Sequence, residues 1–461
     1  MMSKVSRRGV SFFGIPFLYV LAVLIFLAFS FPGSGTAASP VRKADSKTAV
    51  NPLYNQIDLR AGQIQDKVVA WRRDIHQHPE LSNREFRTSK IVADHLTALG
   101  LEVKTGVAHT GVVGILRGGK PGLVVALRAD MDALPVTEEV DVPFASKVRS
   151  TYNGVDVGVM HACGHDVHTS VLMGVAEVLA GMKANLPGTV KFIFQPAEEG
   201  TPAGEDGGAG LMVKEGALEN PKPDAIFALH VFPDSEAGAI AYRSGGALAS
   251  ADGLHITVKG VQTHGAMPWG GVDPVVVSAQ IILGLQTIES RQVNVTRAPS
   301  IVTIAMIHGG VRSNIIPDSV EMTGTIRALD NDMRKDIHAR VKRTAEQIAS
   351  SAGASAQVTI DLGVPVTVND PALTALMVPT LERVAGKNNV INSPPKTGAE
   401  DFSLFAEKVP GLFIFLGSRP KGVDPATVAQ NHSPRFFVDE SCIPLGIRAM
   451  ANLAVDYLIG K

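Results

Sequence analysis

Residues 189–200 read TVKFIFQPAEEG. A β-branched and aromatic run at 189–194 passes directly into Gln195-Pro196-Ala197-Glu198-Glu199-Gly200. The run has the composition of a buried strand, and the proline, glycine and paired carboxylates end it in a polar turn. The same arrangement recurs elsewhere. Residues 123–127 (LVVAL) lead into Arg128-Ala129-Asp130-Met131-Asp132, and 225–229 (AIFAL) end in His230. Residues 111–116 and 412–416 are further apolar, strand-like runs. Helical periodicity marks 57–76, 89–99 (stopping at Gly100), 167–182 and 208–218. Strands alternating with helices predict an α/β domain, an open and mostly parallel sheet with flanking helices.

The rhythm changes after Ser244-Gly245-Gly246. A strand at 254–259, a helix at 274–290, paired strands at 300–307 and 319–327, a helix at 331–350 and a strand at 356–362 follow. That β-α-β-β-α-β order is the ferredoxin-like split unit, so 248–365 is expected to form an inserted α+β lid. The α/β domain is then 56–247 plus 366–461, closing with a strand at 412–416 and a helix at 444–459.

The chain has 461 residues, 45% hydrophobic and 19% charged, enough to bury a large core. Its 43 basic and 44 acidic side chains nearly cancel, which excludes a global field for nucleic acid. At the start, Lys4, Arg7 and Arg8 precede an apolar run (10–31) and then small residues. Residues 1–38 therefore read as a secretory signal peptide or, if uncleaved, a membrane anchor, and 39–55 as a linker. The protein is expected to be exported, to a periplasmic or extracellular location, touching a membrane only through that segment. The two cysteines, Cys163 and Cys442, allow one disulfide, but the setting of Cys163 argues for another use.

In open α/β sheets, ligands sit beyond the carboxyl ends of the strands. Several polar groups fall at such ends: Asp130, Glu198 with Glu199, His230 and, through a loop after 412–416, Asn431-His432-Ser433-Pro434. A fifth cluster, His161-Ala162-Cys163-Gly164-His165-Asp166, stands before a helix. Each alone has an ordinary reading: a helix cap, a solvated turn, a satisfied histidine. Together they supply the imidazole, thiolate and carboxylate donors expected around zinc-like divalent ions. One of two adjacent glutamates can bind metal while its neighbour stays free as a base.

The segments MHACGHDVHT (160–169), FQPAEEG (194–200), TGAEDFS (397–403) and NHSPRF (431–436) resemble the aminoacylase and carboxypeptidase metallopeptidase family. The branch is that of hippurate hydrolases, N-acyl-amino-acid amidohydrolases and auxin-conjugate hydrolases. The resemblance implies a dinuclear centre holding two divalent ions, Zn2+ or Mn2+. Its ligands would be Cys163, His165, Glu199, His230 and His432, with Glu198 as general base. Where other branches carry a ligating His-x-Asp, this chain has Arg128-Ala129-Asp130. Arg128 cannot ligate, and Asp130 is expected to orient a ligand or to cap the strand end. His161, His168 and Asp166 carry no assignment beyond orienting ligands or capping the helix. In the lid, His264 resembles a histidine that in dimeric relatives reaches a neighbouring active site and steadies the oxyanion. Asn314 and Arg327 resemble residues that hold the substrate carboxylate. The implied reaction is hydrolysis of the amide of a small N-acyl amino acid by a homodimeric enzyme. The alternatives are an exported dipeptidase or carboxypeptidase of the same family, a non-catalytic metal-binding member, and a disulfide-bonded Cys163.

Overall fold

The structure is a computed structural model that describes residues 51–460. The expected signal or anchor (1–38) and residues 39–50 of the expected linker lie outside the described residues, and 52–55, read as linker, form the first turn of a helix. Among the described residues no helix is long and apolar enough to cross a membrane.

Eight strands form the central sheet. In chain order they are β1 (Glu102–Val107), β2 (Gly111–Arg117), β3 (Lys120–Asp130), β4 (Pro187–Gln195), β5 (Ala225–Glu236) and β6 (Ile240–Tyr242). After a long insertion come two more. Four further strands, β7 (Asp252–Lys259), β8 (Ser300–Gly309), β9 (Ser319–Ala328) and β10 (Ser355–Leu362), build a separate antiparallel sheet of order β8-β9-β7-β10. The chain then supplies β11 (Val390–Asn392) and β12 (Gly411–Arg419) to the central sheet, whose order is β1-β2-β4-β3-β5-β12-β6-β11. The middle pairings, β4 with β3, β3 with β5 and β5 with β12, are parallel, and β1 and β2 are antiparallel additions.

Why continuous apolar runs form these strands is visible in the two cores. Val125 and Leu127 of β3, Val190, Phe192 and Phe194 of β4, Phe227 and Leu229 of β5, and Leu412 and Ile414 of β12 enter one core. That core is completed by α1 (Pro52–Gln77), α2 (Phe86–Ala98), α3 (His165–Ala180), a helix at Pro371–Ala385 and the closing helix Ile443–Leu458. The intervening residues Ala126, Ile193, Ile226, Ala228, Phe413 and Phe415 point the other way, into a second core with Met212, Phe402 and Phe405. The pleat alternates faces, so a sheet covered on both sides needs apolar residues at every position. Arg128, Gln195 and His230 share the parity of the second face, and there the cleft opens.

Two of the boundaries that differ from the sequence expectation bear on the site. The helix beginning at Gly208 ends at Lys214, before Gly216 turns the chain with φ +84°. Strand β5 continues to Glu236, because His230, Val231 and Phe232 pair with Phe415, Leu416 and Gly417 of β12. His230 is therefore held inside a strand and not at its end.

Candidate metal centre and active site

Gly164 starts the construction. It caps α3 with φ +90°, a left-handed conformation that L side chains rarely adopt, and a Cβ there would collide with Val231. This turn places Cys163 and His165 on either side of it, both buried. Cys163 Sγ lies 3.3 Å from His230 Nε2. The other ring nitrogen of His230, Nδ1, lies 2.8 Å from the Val231 carbonyl, which can only accept, so Nδ1 carries the proton and Nε2 offers a lone pair. His432, with φ +70°, is fixed by its backbone N–H donating to Ala162, and its Nε2 is 3.2 Å from Glu199 Oε1.

Among the described residues five sets of donor atoms are close enough to surround an ion. Asp130/His165/His168 and Glu198/Glu400/Asp401 are two, and the expected ligands make up the other three with Glu198, namely Cys163/His165/His230, Cys163/Glu199/His432 and His165/Glu198/Glu199. Cys163 belongs to two of these three. The five residues expected as ligands are thus brought together, with Glu198 beside them. His165 Nε2 is buried without a hydrogen-bond partner, and Glu199 Oε1 is buried with His432 Nε2 at 3.2 Å but not aligned for a hydrogen bond. Buried polar atoms are normally satisfied, and orphans of this kind, converging with a thiol and two further imidazoles, fit a divalent cation. Cys163 and Cys442 are both free thiols, so the disulfide alternative has no support.

Electrostatics agree with that fit. Burial opposes charge on His165, yet Asp130, Asp132 and Glu199 raise its pKa to about 10. Burial, with Glu199, Glu198 and Asp130, pushes the Cys163 thiol well up. Burial and the neighbouring carboxylates of Glu400, Glu199 and Asp401 likewise raise Glu198 well above the ordinary range. The pocket holds an excess of negative groups that a bound cation would relieve.

Other parts of the site explain themselves through their partners. Arg128 is fully buried and donates to Gln195 (2.8 Å), Asp130 (2.7 Å), Glu400 (2.9 Å) and Asp401 (3.2 Å), acting as a fixed cation. His168 is not a ligand. Its Nε2 accepts the Val231 N–H at 2.9 Å while Nδ1 donates to Asp130 at 2.6 Å. Asp130 therefore orients His168 and neutralises Arg128. Asp166 pairs with Arg72 (2.8 Å) and His76 (2.9 Å), tying the start of α3 to α1. His161 is buried with both ring nitrogens unpartnered.

Sequence reasoning passed over two carboxylates. Glu85 receives the Ala197 N–H (2.9 Å) and the Thr110 hydroxyl (2.5 Å), holding Ala197 at φ +53° just before the glutamate pair. Asp132 lies under that pair. Neither carries a local signal beyond its residue type, because the amides of Ala197, Glu198 and Glu199 that they hold lie 66 to 112 positions away.

The cleft in front has a volume of about 690 Å3, with Cys163, Glu198, Glu199, His230 and His432 on one side and Arg327, Thr325 and Ile301 from the second sheet on the other. Arg327 is half-buried there, and among the described residues no carboxylate pairs with it. His264 and Asn314 do not line this cleft. They lie on an exposed two-stranded ribbon, Thr263–His264 with Ile315–Ile316, where His264 Nδ1 accepts the Ala266 N–H and the Asn314 carbonyl accepts the Gly265 N–H.

Residues 126–456 match the family described as peptidase family M20/M25/M40. Thermostable carboxypeptidase 2 of Saccharolobus solfataricus is 41% identical over 88% of this chain and 99% of its own. The N-acetyl-L-cysteine deacetylase of Bacillus subtilis is 36% identical over 82% of this chain and 85% of its own. Among solved structures, a dinuclear metal-binding peptidase of the M20 family from Bacillus subtilis superposes with TM-score 0.72 at 34% identity, covering 87% of this chain and all of that one. The chain is a hydrolase and belongs to peptidase family M20/M25/M40.

Proposed function

We propose that this enzyme hydrolyses the amide bond of small N-acyl amino acids with two divalent ions, zinc or manganese, held by Cys163, His165, Glu199, His230 and His432. The observation that carries this reading is the shared Cys163 thiol, common to two donor sets, with Glu198 next to them. Ions at that position would lower the pKa of a bound water from ~15.7 to about 7 and polarise the acyl carbonyl. Glu198, in the cleft, takes the proton of the attacking water and returns it to the departing amine, so that hydroxyl joins the acyl carbon as the C–N bond breaks. A pKa raised by burial and carboxylate neighbours suits it to both steps. Arg327 faces the cleft with its fork free to take the substrate carboxylate. The deacetylase relative acts on an N-acyl amino acid by its name, which agrees with this substrate class. Export and assembly as a homodimer belong to the same reading.

A carboxypeptidase or dipeptidase is the second reading, favoured by the 41% identical relative. Recognition of a free peptide ammonium would need an uncommitted carboxylate. Glu400 and Asp401 line the cleft, but both are already paired with Arg128. Metal analysis and turnover of N-acetyl and N-benzoyl amino acids beside free dipeptides test the choice. Two equivalents of metal and a preference for N-acyl substrates are expected. Glu198→Gln is expected to keep its metal while losing roughly 100- to 10,000-fold in turnover. Loss of metal in that variant, or faster cleavage of free dipeptides by the wild type, contradicts the proposal.

A further inference from the structure

Asp132 is buried, does not line the cleft, and is surrounded by donors. Its Oδ1 receives the backbone N–H of Glu198 at 3.1 Å and lies 3.3 Å from His165 Nδ1. Its Oδ2 receives the backbone N–H of Glu199 at 3.0 Å and the Ser82 hydroxyl at 2.8 Å. A carboxylate that accepts two amide protons is an acceptor toward its other neighbours too, so the ring proton of His165 sits on Nδ1. That leaves the unpartnered Nε2 of His165 as the nitrogen facing Glu198 and Glu199, the one that would offer its lone pair to a cation once a bound ion displaces its proton.

We propose that Asp132 is a positioning residue that fixes the proposed base Glu198, the proposed ligand Glu199 and the tautomer of the proposed ligand His165 through one carboxylate. The inference rests on the metal-centre reading and adds to it the means by which neighbouring glutamates are kept apart in role. Both backbone nitrogens are tied to the same anion, so the positions from which the Glu198 and Glu199 side chains start are fixed relative to each other and to His165. The Glu85 bond to Ala197 secures the residue before them. An uncharged amide cannot replace Asp132. Whichever way the side chain of an Asp132→Asn variant turned, its NH2 would face either the Glu198 N–H and His165, or the Glu199 N–H and the Ser82 hydroxyl. A misplacement on the order of 1 Å costs about 100-fold in rate, and loss of a group orienting a metal-bound imidazole costs about 10- to 100-fold in metal affinity.

The test begins with metal-free wild-type protein. The amides of Glu198 and Glu199 are expected to exchange with deuterium at least about 100-fold more slowly than an unprotected turn, as buried bonded amides do. Rapid exchange at both overturns the proposal. Asp132→Asn and Asp132→Ala are then compared with Ser82→Ala, which removes a donor that touches only Asp132. Both aspartate variants are expected to lose the amide protection, bind zinc about 10- to 100-fold more weakly by competition with a chromophoric chelator, and lose about 100-fold in kcat with KM within about threefold. Ser82→Ala is expected to remain within about threefold on each measure, since Asp132 keeps its bonds to both glutamate amides and its contact with His165 when the hydroxyl is removed. An Asp132→Asn protein whose zinc affinity and kcat match the wild type overturns the assignment. So does one that loses thermal stability while keeping wild-type metal affinity, which marks a purely structural role. If neither aspartate variant folds, the wild-type exchange measurement decides. That measurement needs neither metal nor substrate, so it stands or falls apart from the amidohydrolase reading, which fails separately if the wild type binds no divalent ion or cleaves no N-acyl amino acid.

Discussion

Glu198 and Glu199 are chemically identical, and what separates them is where the fold aims each. Glu199 Oε1 is 3.2 Å from His432, while a Glu198 oxygen lies near those of Glu400 and Asp401, the two carboxylates that pair with Arg128. The residue types of the candidate ligands could be read from sequence because each is a metal donor in a segment that follows or interrupts an apolar run. The hydrogen bonds of Asp132, Glu85 and Arg128 could not, since their partners are backbone amides or carboxylates up to 273 positions away with no periodic signature. Arg327 can be tested at this scale. Its cleft-facing guanidinium is expected to contribute two charge-assisted bonds to a free carboxylate. Arg327→Ala should raise KM for N-acyl amino acids about 10- to 100-fold and leave the matching amino-acid amides nearly unaffected. Paired kinetics on an acid and its amide check this, and an equal penalty on both removes the carboxylate role.

Elements whose burial is periodic were legible: β3, β4, β5 and β12 as unbroken apolar runs, α1 and α3 as helical ones. Those missed were the helix Pro371–Ala385, whose pattern Pro379 interrupts, and short or exposed edge strands. Strand β1 is mostly solvent-facing, and β6 and β11 have three residues each. An exposed or three-residue strand has too little buried alternation to stand out from a loop. One residue fastens the β7 end of the antiparallel unit. Asp252 accepts from Arg334 (2.8 Å) and His338 (2.8 Å) of the helix Asn331–Ser351, and from the Gly363 N–H (3.1 Å) where the chain returns. Burial opposes its charge, but Arg334 and His338 lower its pKa to about 2. A depressed folded-state pKa means that the stabilisation is complete above the unfolded value near 4 and fades as pH falls toward about 2. Asp252→Asn is therefore expected to cost about 2 kcal/mol or more at pH 7 and progressively less below pH ~4. Thermal melts of both proteins across pH 2–7 check the trend. A difference that does not shrink in acid excludes the ion pairs as its source.

At the scale of the whole molecule, the ribbon carrying His264 and Asn314 stands outside the lining of the cleft. Within one chain that ribbon is exposed, and apolar side chains stand beside it, with Trp269 81% and Met267 49% exposed. The antiparallel unit also exposes Leu283 and, on its edge strand β8, Met306 and Ile307. Surfaces of this kind suit an isologous pairing of two copies, in which each could offer its ribbon to the other's cleft. The proposed dimer thus predicts complementation. Glu198→Gln lacks the base but retains His264, and His264→Ala retains the base but lacks the ribbon histidine. If His264 acts across the interface, a hybrid dimer contains one site with both groups intact and one with neither. Random mixing of equal amounts should then restore activity to about one quarter of wild type, although each variant alone is far less active. Should His264 act within its own chain, every site in the hybrid lacks one group and mixing restores nothing. Co-expression of differently tagged variants, with tandem purification of the hybrid, reads the outcome directly, since the isolated hybrid would carry about half the wild-type activity per dimer.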